Sequence, residues 1–381
     1  MQDRHCAYFA RYVEGMLPQM NGPEQVSLFD DLEREYDNLR TVLEWSLGEG
    51  GSVETSLRMA EVLGVFWNQR GLWKEGKDWL ERMLQQGSAA PGALRIRAIG
   101  AARVLVWQSG DMAGAQRLDE EWLAVSNAIG DKSGMAYALR GLATDASERG
   151  ELDKASALLE ESLALFRELG SKQGLRAILT SLGTLAELRG EYDTAVTHYG
   201  EAYTLSQELR DQTEIANSIW CLGAAERNRR NYETAQGLFE ASLEMSRELN
   251  YGWCIAASLH FLGIIAQAQG DHPRAKVLLK ESLPLYRHLG HRRGIGLCLT
   301  SQAEELRWAG QAERAAVLLA AAERCNTNIG RPLVPVDQEH HDAVVTATRA
   351  LLDQRIFASA WARGERMALE EAVAFALEND T

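Results

Sequence analysis

Proline is scarce, with 7 in 381 residues, and no apolar run approaches the roughly 18 residues that a membrane span requires. Few helix breakers suit long helices, and no membrane segment is expected. Cysteine is equally thin: Cys6, Cys221, Cys254, Cys298 and Cys325 are odd in number and never closely spaced. That pattern argues against a disulfide framework and against a zinc site, and leaves reduced thiols acting as small apolar residues. Positive charge is also short. A net charge of −14 disfavours general nucleic-acid binding, because phosphate backbones call for clustered Lys and Arg. No charged start leads into an apolar core and a small-residue cleavage site, so no signal peptide is read and a cytoplasmic location is expected.

What the chain does have is a period of about 40 residues. Gly110, Gly150, Gly190, Gly270 and Gly310 form one ladder, with Arg230 at the missing rung. Gly130, Gly170, Gly290 and Gly330 form a second, half a period later, with Arg210 and Asn250 in its gaps. Glycine takes the left-handed backbone freely and so marks the residue just past a helix C-terminus. Asp111, Glu151, Glu191, Asn231 and Asp271 follow the first ladder, where they are expected to cap the next helix. Two rows of small residues recur between the ladders: Ala115 to Ala315 at every period, and Ala143, Gly183, Gly223, Gly263 and Ala303. Around them Leu179, Leu182, Tyr199 and Ala202 repeat as Ile219, Leu222, Phe239 and Ser242.

This unit resembles the tetratricopeptide repeat, lengthened from that repeat's 34 residues. Each helix should therefore run roughly 16 to 18 residues, about 25 Å. The expected fold is all-α: a right-handed superhelical solenoid of helix pairs, capped at both ends. Residues 1–50 read as an N-terminal helical cap of two helices, 51–330 as about seven helix pairs, and 331–381 as a C-terminal helical cap. Two repeats look divergent. In the second, Arg103 replaces the small residue and Asp119 stands where an apolar one is usual. Gly71 to Lys77, GLWKEGK, has the spacing of a phosphate-binding loop, but Asp78 follows the lysine and the preceding segment reads as helix, so no nucleotide cofactor is expected. Glu339, His340, His341 and Asp342 are expected to form a solvated face rather than a metal site, since adjacent helical residues point about 100° apart.

The ends carry a more specific likeness. Leu32, Glu33, Glu35 to Arg40, Leu43 and Trp45, then Phe66, Trp67, Arg70, Gly71, Glu75, Gly76, Trp79 and Leu80, and finally Phe357, Ala360, Trp361, Gly364, Met367 and Leu369 resemble one bacterial group. It is the tetratricopeptide sensor of signal-transduction ATPases, including the maltose-regulator-like and LuxR-type large transcriptional activators. In that group an ATPase module precedes the sensor and a DNA-binding module often follows. Neither is recognised in this sequence, which implies an excised sensor or a freestanding relative. The resemblance implies effector binding and possible self-association, and carries over no ligand residue.

In such solenoids the first helix of each pair lines the concave wall. With the small residues packed against the partner helix, the opposite face presents Trp107, Gln108, Tyr137, Arg140, Asn217, Trp220, Arg227, Asn228, His260, Gln267, Arg307 and Trp308. Aromatic anchors mixed with donors suit an anion or carboxylate, and the competing reading is that the aromatics pack between repeats while the arginines pair with Glu148, Glu226 or Glu304. The leading expectation is a non-catalytic sensor or scaffold binding a protein, a peptide or a small effector in the groove, with no direct nucleic acid and no membrane contact. An adaptor recognising a partner's peptide or helix is the alternative. An enzyme, with an acid or base pair drawn from His260, Glu226 and Glu304, is the third reading.

Overall fold

The computed structural model describes residues 2–20, 24–49, 51–329 and 333–378. Among them every regular element is helical. The N-terminal segment holds α1 (Gln2–Met16), α2 (Gln25–Arg34) and α3 (Tyr36–Ser46). Seven pairs follow: α4 (Val53–Gln69) with α5 (Trp73–Gln86), α6 (Gly92–Gln108) with α7 (Met112–Ile129), α8 (Lys132–Glu148) with α9 (Leu152–Leu169), and α10 (Lys172–Leu188) with α11 (Tyr192–Leu209). The series continues with α12 (Gln212–Asn228) and α13 (Tyr232–Glu248), α14 (Gly252–Ala268) and α15 (His272–Leu289), and α16 (Arg292–Trp308) and α17 (Ala312–Ile329). Three helices close the chain: α18 (Pro335–Ala350), α19 (Gln354–Arg366) and α20 (Leu369–Leu377). From α6 to α17 each helix is 17 or 18 residues long, as the 40-residue period requires.

The ladders end helices as their residue types dictate. Gly110, Gly150, Gly190, Gly270 and Gly310 all have positive φ, as do Gly130, Gly170 and Gly290; Gly330 and Pro332 lie outside the described residues. Among the described residues the non-glycine positions with positive φ are Arg210 (56°), Arg230 (63°) and Asn250 (51°), which are the three ladder gaps. Capping is distributed differently from the expectation. Asp111 and Asp271 accept from the backbone amides of Gly114 and Arg274, but Glu151, Glu191 and Asn231 make no such cap. A glutamate carries one methylene too many for that geometry, and Glu151 turns to Arg149 while Asn231 donates to Glu226. On the second ladder Asp131, Ser171 and Asp211 cap instead.

The two small-residue rows hold each pair together. Ala115, Ala155, Ala195, Ala235, Ala275 and Ala315 are all fully buried. In the other row a Cβ added at Gly183 would lie 2.4 Å from the Tyr199 ring, and at Gly223 or Gly263 2.9 Å from Phe239 or Leu279. Each glycine thus receives the large residue 16 positions later. The serine hydroxyls of Ser162, Ser242 and Ser282 donate to the carbonyls of Ala136, Ala216 and Ala256 at 2.7–2.9 Å, tying each second helix to the helix before it. In the divergent repeat the two anomalies occupy this same interlock: Arg103 donates to Asp119 at 3.0 Å. Asp119 is fully buried, and its carboxylate fills the space over Gly141. Burial lifts its carboxyl above the ordinary range even with Arg103 beside it, and the repeat thus places a polar pair where the others hold apolar volume.

The N-terminal stripe of Leu28, Leu32, Leu39, Leu43 and Leu47 is buried against the first repeat, as expected, but the helix that carries it breaks at Glu35. The break starts α3 at Tyr36, whose hydroxyl accepts from the Trp67 indole at 2.6 Å. More remote contacts also form. Gln69 donates to the Thr213 hydroxyl at 3.0 Å, and Thr213 donates to Gln25 at 2.6 Å. Leu289 joins the N-terminal core, and Trp73 lies edge-on to His291 at 6.1 Å. The N-terminal unit therefore docks on the starts of α12 and α16, far along the chain. Glycine at the remote αL sites relieves strain that arginine bears, so Arg210→Gly should raise stability by about 0.5–1 kcal/mol in chemical denaturation. Asp119→Leu, which leaves Arg103 only the longer pairing with Asp145 at 3.8 Å and the Gly141 carbonyl, should cost about 2–3 kcal/mol, and Arg103→Gly added to it should recover part of that loss.

Candidate ligand-binding wall

The residues singled out from sequence lie on the first helices α6, α8, α12, α14 and α16, and their surroundings fall into three groups. At the near end Trp107, Tyr137 and Arg140 are part-buried. Tyr137 stacks on Trp122 at 6.0 Å and meets Phe166 edge-on at 4.8 Å, both from second helices. Arg103 lies 6.0 Å over the Trp107 ring, and Arg140 5.8 Å from the Tyr137 ring. Arg140 pairs with no carboxylate among the described residues, and its buried Nε meets no acceptor. Burial, and next the charge of Arg103, lower its proton affinity.

In the middle, Trp220 is part-buried in an aromatic nest, 4.9 Å from Trp253, 5.5 Å from Phe261 and 6.4 Å from Phe239. Its indole N–H is buried without an acceptor. Asn217 donates to Glu214 at 3.3 Å, and Glu214 pairs with Arg176 at 2.5 Å.

The far group is sealed by the chain itself. Arg227 donates to Asp337 of α18 at 2.7 Å, across 110 positions, and to Asn228 at 2.6 Å; its guanidinium also covers the Phe261 ring. Asn228 donates to Glu187 at 2.8 Å, and the Tyr199 hydroxyl donates to the other Glu187 oxygen at 2.8 Å. His260 is 1% exposed and bonds the Ser301 hydroxyl at 3.1 Å. Burial depresses its pKa to about 3 and keeps it neutral. Farther on, Gln267 donates to Glu305 at 2.9 Å, and the exposed Trp308 packs on His272 and under Arg307.

Some pairings differ from those expected. Arg227 takes Asp337 rather than Glu226, because α18 turns its first turn onto the wall; Glu226 pairs with Arg229 and Asn231. The solvated-face reading of α18 holds for Glu339 and Asp342 only. His341 is buried against the Thr300 hydroxyl at 3.1 Å, and His340 lies 3.5 Å from Glu304. No His, Cys, Asp and Glu cluster fit for a metal ion occurs among the described residues, and no helix among them is long and apolar enough to cross a membrane. His260, Glu226 and Glu304 do not pair with one another, so the acid-base set drawn from sequence is not assembled. The segment from Gly71 to Lys77 is a turn and the first helical turn of α5, and Lys77 pairs with Asp111.

Sequence reasoning missed Glu187, which lies one period before Arg227 in the same row and could have been found by extending it. Asp337 had no such signal. Burial pushes the Glu187 carboxyl up to about 7, against the opposing pull of the Tyr199 hydroxyl and Arg227. At Asp337 burial acts the same way, but Arg227 holds the carboxylate below its ordinary range.

Stacked pairs with a small-large interlock define a solenoid of the tetratricopeptide class. The family model for the tetratricopeptide repeat matches residues 134–208 and 214–288. Curated proteins give no match. Among solved structures the fold is similar to a Rap protein complexed with Competence and Sporulation Factor, at 13% identity and a TM-score of 0.54, covering 89% of this chain and 98% of that one. The apo form of the quorum sensor NprR from B. thuringiensis is similar at 16% identity and 0.52, covering 90% and 87%. A Signal Transduction ATPase with Numerous Domains carrying a tetratricopeptide repeat sensor, from Pyrococcus horikoshii, is similar at 14% and 0.51, covering 90% of this chain and 54% of that one.

The Glu187 network carries a pH signature. A carboxyl raised on folding adds stability that is complete below its unfolded pKa, near 4.5, and is lost as pH rises through about 7. In urea denaturation the wild type should therefore lose stability relative to Glu187→Gln between about pH 5 and 7, with a constant difference above about pH 8.

Proposed function

We propose that this chain is a non-catalytic binding domain, a sensor or scaffold of a bacterial transcriptional or signalling regulator. It takes a peptide, a protein or a small effector on the concave wall built by the first helices. One observation carries the reading. The wall meets the chain's own α18 at Arg227, Thr300 and Glu304, whereas on α8 Tyr137 and Arg140 stay part-exposed and α18 makes no contact with them. The fold shared with a quorum sensor and with a STAND sensor supports it. In this reading residues 1–50 and 331–381 act as caps, the protein works in the cytoplasm, and self-association is a further property to be measured.

The adaptor reading draws on a different fact. A helix, α18, already docks on the wall through one acidic side chain, so a partner's helix could dock in the same manner. Arg227 is unsuited as a probe of either reading, since its loss strands a buried Asp337.

Thr184 is an exposed residue of α10 on the open part of the wall, and Thr184→Trp would obstruct it. Purified protein titrated with metabolites and with unbiased peptides should show a ligand that shifts Trp fluorescence and raises the melting temperature. Thr184→Trp should weaken that ligand by about 10-fold or more, at a small cost in unliganded melting temperature because the Thr184 hydroxyl also meets the Tyr199 hydroxyl at 3.2 Å. A ligand indifferent to this substitution would place binding elsewhere and sink the proposal.

A further inference from the structure

Helices α19 and α20 meet at Met367 and Ala368 and enclose an open cleft of about 510 Å³, a volume in the range of small-molecule sites. Its lining comes from these two helices and their junction, and from no first helix of the repeats. The apolar part is Met367, Ala374 and Phe375. The charged part is Arg363 and Arg366 from α19, with Glu371 and Glu378 from α20 and its end, all four exposed.

The two signs differ in their commitments. Glu371 accepts from the Ala368 amide at 2.9 Å, and Glu378 lies 3.8 Å from Arg314 of α17. Arg363 and Arg366 meet no carboxylate among the described residues. In a chain with 54 acidic and 40 basic side chains, that is not for want of carboxylates. Basic side chains in a last turn often serve the carbonyls of the helix end. Here another residue does so: Arg324 of α17 donates to the carbonyls of Glu365 and Met367 at 2.7 and 2.8 Å. Arg363 is instead held over the Phe375 ring at 5.0 Å. Arg314 covers the same ring at 5.0 Å and donates to the Phe375 carbonyl at 3.2 Å, which fixes the ring in turn. Two guanidiniums three positions apart, neighbours on a helix surface, thus stand beside an apolar lining with no anion, one of them already oriented.

We propose that the cleft between α19 and α20 binds a small organic acid with an apolar body, its carboxylate held by Arg363 and Arg366 and its body against Met367 and Ala374. Guanidinium groups recognise a carboxylate through paired N–H···O bonds, and the flexible Met367 side chain adapts to the shape of the body. Glu371 and Glu378 line the same cleft, so one negative charge suits it better than the double charge of phosphate. This site is separate from the concave wall and stands whether or not the groove reading holds.

The test is ligand-detected saturation-transfer NMR on the full chain, with phenylacetate, hexanoate, phenylacetamide, acetate and inorganic phosphate as probes. Phenylacetate or hexanoate should bind, acetate and phosphate about 10-fold or more weakly, and phenylacetamide not at all. Arg363→Gln and Arg366→Gln should each weaken the bound acid by about 5-fold or more, with Arg366→Lys keeping part of the affinity. Ala374→Trp, which fills the cleft from an exposed position, should abolish binding, whereas Thr184→Trp on the wall should leave it unchanged. Arg366→Gln and Ala374→Trp should melt close to wild type, since Arg366 has no partner to lose and Ala374 is exposed. Phenylacetamide binding as well as phenylacetate, or phosphate binding as tightly as either acid, would overturn the inference. A clear fall in melting temperature on Arg366→Gln would mark the residue as structural, with the same consequence. An acid displaced by Thr184→Trp and indifferent to Ala374→Trp would belong to the wall, against this inference and in favour of the groove reading. Failure of the folded chain to bind either acid would sink the inference and leave the groove reading untouched.

Discussion

The close approach of two helices over a missing side chain is the constraint on which the rest of this structure depends. Where Gly183 receives Tyr199, and Gly223 receives Phe239, the partner ring occupies the volume a Cβ would need. That contact fixes the rotation of the first helix about its own axis, and so decides which residues face the second helix and which face the wall. Because the interlock repeats every 40 residues, the wall repeats with it, and a row such as Arg140, Thr180, Trp220 and His260 is a consequence of packing. The Arg103–Asp119 pair shows how strongly the position is specified: even when both apolar partners are lost, the two replacements complement each other in the same place.

This is why the repeats were legible in the sequence and their environment was not. The glycine ladders, their three non-glycine rungs and the two small-residue rows are local or periodic signals, each visible within one unit. The left-handed backbones of Arg210, Arg230 and Asn250 could be assigned from their neighbours in the ladder alone. Contacts between Thr213 and Gln25, or between Arg227 and Asp337, link positions 188 and 110 residues apart and recur nowhere. They arise from the curvature accumulated over several repeats, which no single unit encodes. The same cause explains the wall residues. Their face was readable from phase, but their exposure was set by segments arriving from the two ends, so Arg227, Asn228 and His260 are buried while Arg140 and Tyr137 remain part-open.

Charge on the wall follows that division. Beneath α18 the polar groups form a hydrogen-bonded chain from Tyr199 through Glu187, Asn228 and Arg227 to Asp337. Its members carry opposite shifts, with Glu187 raised by burial and Asp337 held down by Arg227, as expected when one cation serves two carboxyls unequally.

Helix α12 draws these strands together. Its first turn carries Thr213, which the N-terminal segment and the first repeat grip through Gln25 and Gln69, and its last turn carries Arg227, which the C-terminal segment grips through Asp337. Trp220 lies between the two grips, at the junction of four apolar clusters. A repeat array in which each unit touches only its neighbours has a geometry set by many small rotations, and it bends easily. Here one central helix is held from both ends of the chain, so a change in the angle between repeats must strain the Thr213 contact, the Arg227 contact or both. Rigidity is thereby concentrated on the helix whose middle borders the open wall, and a ligand seated beside Trp220 would press on the one element that both ends of the chain also hold.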